Sequence, residues 1–125
     1  MPKKPTKKSL RNKLDKLVKQ IVRKRKKCQH CGRSRGIQLQ TAHIFSRKYL
    51  GLRWNLDNVL LLCASCHFWA HSNTILFAEW VKEYLGEEKY QLLKEARNQI
   101  TIFTLNDLQI KVKALEELLQ KGEIK

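Results

Sequence analysis

No stretch of the 125-residue sequence approaches the roughly 18 consecutive apolar residues of a bilayer-spanning helix, so no membrane partner is expected. The basic N-terminus is followed by no apolar h-region, so it does not read as a secretory signal, and the expected setting is the cytoplasm. Acidic residues are scarce: 11 Asp+Glu face 26 Lys+Arg, a formal net charge of +15. Such an excess disfavours a basic partner and predicts attraction to a polyanion. There is no internal repeat, and no low-complexity tract beyond the lysine-rich start. Proline is confined to Pro2 and Pro5, and residues 1–8 carry so few apolar groups that they are expected to be mobile. What is present suffices for one domain, with 42% hydrophobic residues in 14.8 kDa.

The charge is unevenly placed. Residues 1–27 hold 13 basic residues against the single acid Asp15. From Cys28 to His71 there are five basic residues and Asp57, and from Ser72 onward eight basic and nine acidic ones. In the first segment Ser9 can cap a helix whose Leu10, Leu14, Leu17, Val18, Ile21 and Val22 form one apolar stripe opposite a basic face. Arg23, Lys24, Arg25, Lys26 and Lys27 then lead into the first cysteine. Such a face is either a solvated surface or a nucleic-acid contact, and so many like charges favour the second.

Short apolar pieces, Ile37–Leu39, His43–Phe45 and Val59–Leu62, read as strands, and the chain from Cys66 as helix. Further helices are expected over Thr74–Leu85, stopped by Gly86, and over Glu87–Asn98. A last one starts after Thr104, with Leu108, Val112, Leu115, Leu118 and Leu119 on one side and Gly122 beyond it. These C-terminal helices are also a candidate surface for a protein partner. Trp54, Trp69 and Trp80, with Phe45, Phe68 and Phe77, are expected in the core.

The four cysteines form two C-x-x-C pairs, Cys28/Cys31 and Cys63/Cys66, with 31 residues between them. Two residues between thiolates let each pair occupy two corners of a tetrahedron from one tight turn, and two such turns complete a structural zinc site. Gly32 suits the first turn. Disulfides are disfavoured in the expected compartment, and a redox pair would need a single C-x-x-C in a βαβ setting. His30, inside the first knuckle, is then a bystander.

Around the second pair stand His43, Asn58 after 14 further residues, His67 after eight more, and His71 four beyond that. The set Leu39–Arg47, Arg53–Asn58 and Cys63–His71 resembles the HNH (ββα-metal) endonuclease family, strongly over residues 28–73 and more loosely beyond, where it is similar to phage-type, NinG-like recombination proteins. The resemblance implies an α+β fold: a zinc-braced ββα core over 28–73, a basic arm and amphipathic helix over 1–27, and a helical wrap over 74–125. It implies hydrolysis of DNA phosphodiester bonds, with His43 as base, Asn58 holding the loop and the base, and His67 on a divalent ion (Mg2+, Mn2+ or Ni2+). His71, one helical turn from His67, suits the same ion. Arg47, Lys48 and Arg53 fall between base and asparagine, where phosphate contact or solvation is open. Many family members carry Asp or His directly before the base, where this chain has Ala42. Gln40 or Asn73 could supply an oxygen instead. The alternative from another class is a non-catalytic zinc-ribbon DNA-binding protein; an RNA-binding factor shares the charge.

Overall fold

A computed structural model describes residues 4–122 of the chain; part of the mobile segment expected over residues 1–8 lies outside them. Among the described residues the order is α1 (Lys7–Arg23), β1 (Leu39–His43), α2 (Leu50–Arg53), a 3-10 turn (Leu56–Asn58), β2 (Val59–Cys63), α3 (Ala64–Ser72), α4 (Thr74–Leu85), α5 (Glu87–Arg97) and α6 (Leu105–Lys121). It is a small α+β fold with one two-stranded antiparallel sheet and six α-helices.

The helix α1 begins earlier than its sequence suggests. Thr6 is the cap, accepting from the Ser9 amide, and the Ser9 hydroxyl accepts in return from the Thr6 amide. Ser9 is thus the third residue of a capping box rather than the cap itself. Every residue of the expected stripe is buried, from Leu10 to Val22. Helix α6 closes over it, starting at a second capping box between Thr104 and Asp107. Together α1 and α6 enclose an apolar cluster with Trp54, Val59 and Leu61.

The sheet lies between this cluster and a second one. Strand β1 pairs with β2 in the register Leu39↔Cys63 to His43↔Val59. All five residues of β2 are buried because both its faces are covered. Val59 and Leu61 face the α1–α6 cluster. Leu60 and Leu62 face a second cluster containing Ala42, Ala70, Val81 and three of the four cysteines. A two-sided strand reads as the unbroken run Val-Leu-Leu-Leu rather than as an alternation. Strand β1 instead starts at Leu39, leaving Ile37 outside it and His43 at its C-terminal end.

Two local features fix the connections. Gly51 in α2 leaves room for Thr101, whose hydroxyl would lie 2.8 Å from a β-carbon placed there, so α2 presses directly on the segment before α6. Helices α3 and α4 meet at Asn73. The expected core role of Phe68 fails: its ring is 74% exposed, because α3 buries only Cys66 and Ala70. Ile75 and Leu76 at the start of α4 are exposed as well. No helix of the described residues is long and apolar enough to cross a membrane.

Candidate metal centre and histidine cleft

The two knuckles come together. The Sγ atoms of Cys28, Cys31, Cys63 and Cys66 all lie within 4.8 Å of one another. Those of Cys31 and Cys63 are 3.8 Å apart. With zinc–sulfur bonds of about 2.3 Å, a tetrahedral site has sulfur–sulfur edges of about 3.8 Å, so the donor set and its spacing suit a structural zinc ion. In each knuckle the amide of the second cysteine points at the sulfur of the first, at 3.5 Å for Cys31 to Cys28 and for Cys66 to Cys63. Gly32 turns the first knuckle back with φ +80°, and its amide donates to the Cys28 carbonyl. Burial opposes ionisation of the Cys28 thiol, but backbone amides around it outweigh burial and bring it down to about 6. Cys66 moves the other way, raised by burial and by the neighbouring thiols. A cation would draw all four toward thiolate.

The first knuckle is pinned to the sheet by Gln29. Its amide donates to the Leu61 carbonyl at 2.8 Å, and its side-chain oxygen accepts from the Leu61 amide at 2.7 Å. Arg25 donates to that same oxygen and to the carbonyls of Val59 and Leu56. His30 proves more than a bystander. Its Nδ1 sits 3.3 Å from the Cys66 sulfur, and its ring stacks on Trp69 with centroids 4.4 Å apart. The edge of Trp80 closes the other side.

Beside β1 and α3 a cleft of about 580 Å³ opens, and His43, His67 and His71 all line it. The fold thus gathers three histidines that the sequence spreads over two elements. His43 Nε2 lies 3.0 Å from the Arg53 carbonyl. A carbonyl can only accept, so Nε2 carries the proton and Nδ1 keeps the lone pair. Burial lowers the pKa of His43 below its usual 6.5, and the Arg47 and Arg53 charges act in the same direction. The Arg53 hydrogen bond and Asp15 oppose this without reversing it. Asn58, fully buried, spans the loop: Oδ1 accepts from the Phe45 amide, and Nδ2 donates to the carbonyls of Phe45 and Leu52.

His67 and His71 stand one turn apart on α3, with their Nε2 atoms 3.1 Å from each other. Gln40 Oε1 accepts from His67 Nδ1 at 2.7 Å, which leaves the His67 Nε2 lone pair facing His71. Here Gln40 orients a histidine, through the same oxygen that the sequence offered as an alternative ligand. The Asn73 amide donates to the Trp69 carbonyl at the end of α3. Among the described residues no third His, Cys, Asp or Glu joins the His67–His71 pair in a potential metal-holding group. Ala42 is buried and offers no ligand.

The basic residues divide. Arg47 and Lys48 are exposed, Arg47 on the cleft wall. Arg23, Lys26 and Lys27 are exposed beyond α1 and at its last turn. Lys24, Arg25 and Arg53 differ from the expected phosphate contacts, because the fold uses them. Lys24 Nζ donates to the Leu119 carbonyl at the end of α6. Arg53 forms a two-pronged pair with Asp15, Nε to Oδ1 at 3.0 Å and Nη2 to Oδ2 at 2.6 Å. Two lysines that the charge profile did not single out border the histidines instead: Lys19 lines the cleft, and Lys16 and Lys19 line a smaller hollow that also reaches His43. Their helical spacing from Leu14 and Val18 on the polar side of α1 was the available signal.

These features define a small α+β protein built around a four-cysteine zinc site. The chain belongs to the NinG family: the family described as Bacteriophage Lambda NinG protein matches it over residues 2–123. No curated protein and no solved structure matches the chain.

Proposed function

We propose that the protein is a phage-encoded, divalent-metal-dependent endonuclease of the HNH (ββα-metal) kind that hydrolyses DNA phosphodiester bonds in the bacterial cytoplasm. The observation that carries this reading is the cleft shared by His43, His67 and His71, with the two α3 nitrogens 3.1 Å apart.

His43 is the general base. It is neutral at neutral pH and takes a proton from the attacking water at Nδ1, while Nε2 stays on the Arg53 carbonyl. His67 and His71 present nitrogens to a divalent cation, which when bound supplies charge neutralisation at the scissile phosphate and the leaving oxygen. With no carboxylate beside them among the described residues, the pair favours ions that accept nitrogen ligands, and water or phosphate fills the remaining positions. Arg47 and Lys48, with Lys19 across the cleft, hold the phosphate backbone. The four-cysteine site holds β2 and α3 in place and takes no part in the chemistry.

A second reading, a DNA-binding zinc protein without catalysis, is favoured by one observation: buried Ala42 precedes the base, and among the described residues no third metal-ligating side chain accompanies the histidine pair. Nicking of supercoiled plasmid, in EDTA and with Mg2+, Mn2+ or Ni2+, separates the two. The endonuclease requires metal-dependent nicking that His43→Ala lowers by roughly 10²–10⁴. His67→Ala should also lose nicking, and raised metal should restore part of it. Intact plasmid in every metal, with DNA still bound, would leave the non-catalytic reading standing.

A further inference from the structure

We infer that Asp15, the one acid among the first 27 residues, is a positioning residue for His43, acting through the Arg53–Trp54 segment at the end of α2. For the base of the proposed reaction this rests on the endonuclease reading; for the orientation of the ring it does not.

The chain of contacts is continuous. Asp15 comes from α1 and lines, with Lys16, Lys19 and Arg53, the smaller hollow that reaches His43. Its Oδ1 accepts from Arg53 Nε at 3.0 Å and from Trp54 Nε1 at 2.8 Å, and its Oδ2 accepts from Arg53 Nη2 at 2.6 Å. Of the residues that it grips, Trp54 is buried and packs against Phe103, and the half-buried Arg53 lies over the Trp54 ring. The Arg53 carbonyl is the acceptor for His43 Nε2–H. One residue earlier, the Leu52 carbonyl is held by Asn58. The peptide carrying the His43 acceptor is therefore fixed from two sides, by Asn58 before it and by Asp15 after it.

Neither fixing residue makes a hydrogen bond to the imidazole, yet the tautomer of His43 depends on where the Arg53 carbonyl points. Charge-assisted, two-pronged bonds hold direction better than a single neutral one. The one carboxylate of this basic helix supplies both oxygens of that pair, and its charge shortens and strengthens the two bonds to the Arg53 guanidinium. Arg47, 3.7 Å from the same carboxylate and exposed, adds to the cluster without replacing either bond.

The test is the ring of His43 in the full-length zinc-loaded protein, labelled with 15N at histidine. The parent should show one tautomer at His43, with the proton on Nε2. Asp15→Asn, which keeps the shape and loses the charge, should show a mixture of both tautomers. Arg53→Gln should give the same mixture, and the double variant no more than either. In the nicking assay Asp15→Asn should lower kcat by up to about 10²-fold with KM nearly unchanged. If Asp15→Asn does not fold, Asp15→Glu, which keeps the charge but shifts the carboxylate by one methylene, is read in the same way. A single Nε2–H tautomer in both Asp15→Asn and Arg53→Gln would overturn the proposal. Absence of nicking in the parent, with the tautomer still responding to Asp15, would instead overturn the endonuclease and leave the clamp.

Discussion

Asn58 pairs with the backbone of Phe45 on both sides of one residue, accepting from the Phe45 amide at 2.9 Å and donating to its carbonyl at 3.0 Å. In effect a side chain extends the β1–β2 ladder by one rung, beyond the bond from the Ile44 amide to the Asn58 carbonyl. Asn58→Ala strands the Phe45 amide, the Phe45 carbonyl and the Leu52 carbonyl in or near the core. Leaving buried polar groups unpaired costs on the order of 1–3 kcal/mol each. A fall in unfolding free energy of at least about 2 kcal/mol is expected in denaturant titration, and a fall under about 0.5 kcal/mol would show that water replaces the amide.

The zinc site makes a prediction in two parts. Purified protein should hold one tightly bound zinc, and chelation or Cys63→Ala should unfold the second cluster, in which Cys28, Cys63 and Cys66 are part of the apolar packing. His30→Ala removes a hydrogen-bond partner of the Cys66 sulfur and the ring between Trp69 and Trp80. Loss of such outer partners typically costs roughly 10–100-fold in metal affinity. Competition with a chromogenic chelator measures it, and parental affinity in His30→Ala would mean that the ring only packs.

Much of this was legible beforehand, and the failures have physical causes. The helices from Thr74 and Thr104 end where Gly86 and Gly122 adopt positive φ, a local demand that a sequence displays directly. The four thiolates were legible for the same reason, since each knuckle is a local turn. Arg25 and Arg53 were not, because a guanidinium used internally and one facing solvent have the same one-letter surroundings; only the fold brings Asp15 within 2.6 Å of Arg53. The bond between Gln40 and His67 escaped in the same way, the two residues being 27 positions apart. Phe68 misled because a large aromatic reads as core, whereas α3 buries only Cys66 and Ala70 and turns Phe68 outward.

The basic first segment is part of the core, and one substitution tests this. Leu14 in α1 is fully buried between α6 and the sheet side of the first cluster. Leu14→Ala should cost about 2–5 kcal/mol of global stability, as large-to-small changes in packed cores do. A melt unchanged from the parent would mean that α1 is a detachable arm.

Charge substitutions should sort by whether the fold uses the residue. Arg47→Ala and Lys48→Ala should leave the melt nearly unchanged and weaken binding to any duplex alike. Each phosphate that is no longer neutralised should reduce the slope of log K against log salt by about 0.9. Arg25→Ala should instead destabilise the protein, since it abandons Gln29 and two carbonyls. If Arg25→Ala changed only the salt slope, the internal role would be wrong.

The pH dependence follows from His43. Burial, aided by Arg47 and Arg53, holds its pKa below the usual 6.5, against the pull of the Arg53 hydrogen bond and of Asp15. Lys16 and Lys19 from α1 also face it, with positive charges that disfavour protonation, and the α3 pair His67 and His71 lines the same cleft. A base must be neutral to accept a proton, so the nicking rate should be level through neutral pH and fall only below about pH 6.5. For stability the sign is set by which state binds the proton first. Above about 6.5 His43 is neutral in both states and contributes nothing to pH dependence. As pH falls from there toward the lower folded pKa, the unfolded chain takes up the proton and the folded one does not, so stability drops across that window. Asp15 acts in a separate, more acidic window. Burial alone would raise its pKa, but the bonds from Arg53 and Trp54 outweigh burial and lower it, so its contribution is complete above about 3.9 and is lost as pH falls further. The two windows are resolved by urea titrations at several pH values in the parent and in His43→Ala. The variant should lose part of the drop below about pH 6.5, the rest belonging to His67, whose pKa burial also lowers, and keep the one at lower pH. An acid limb of nicking centred above about pH 6.5 would mean that the titrating base is not a buried histidine in this electrostatic setting.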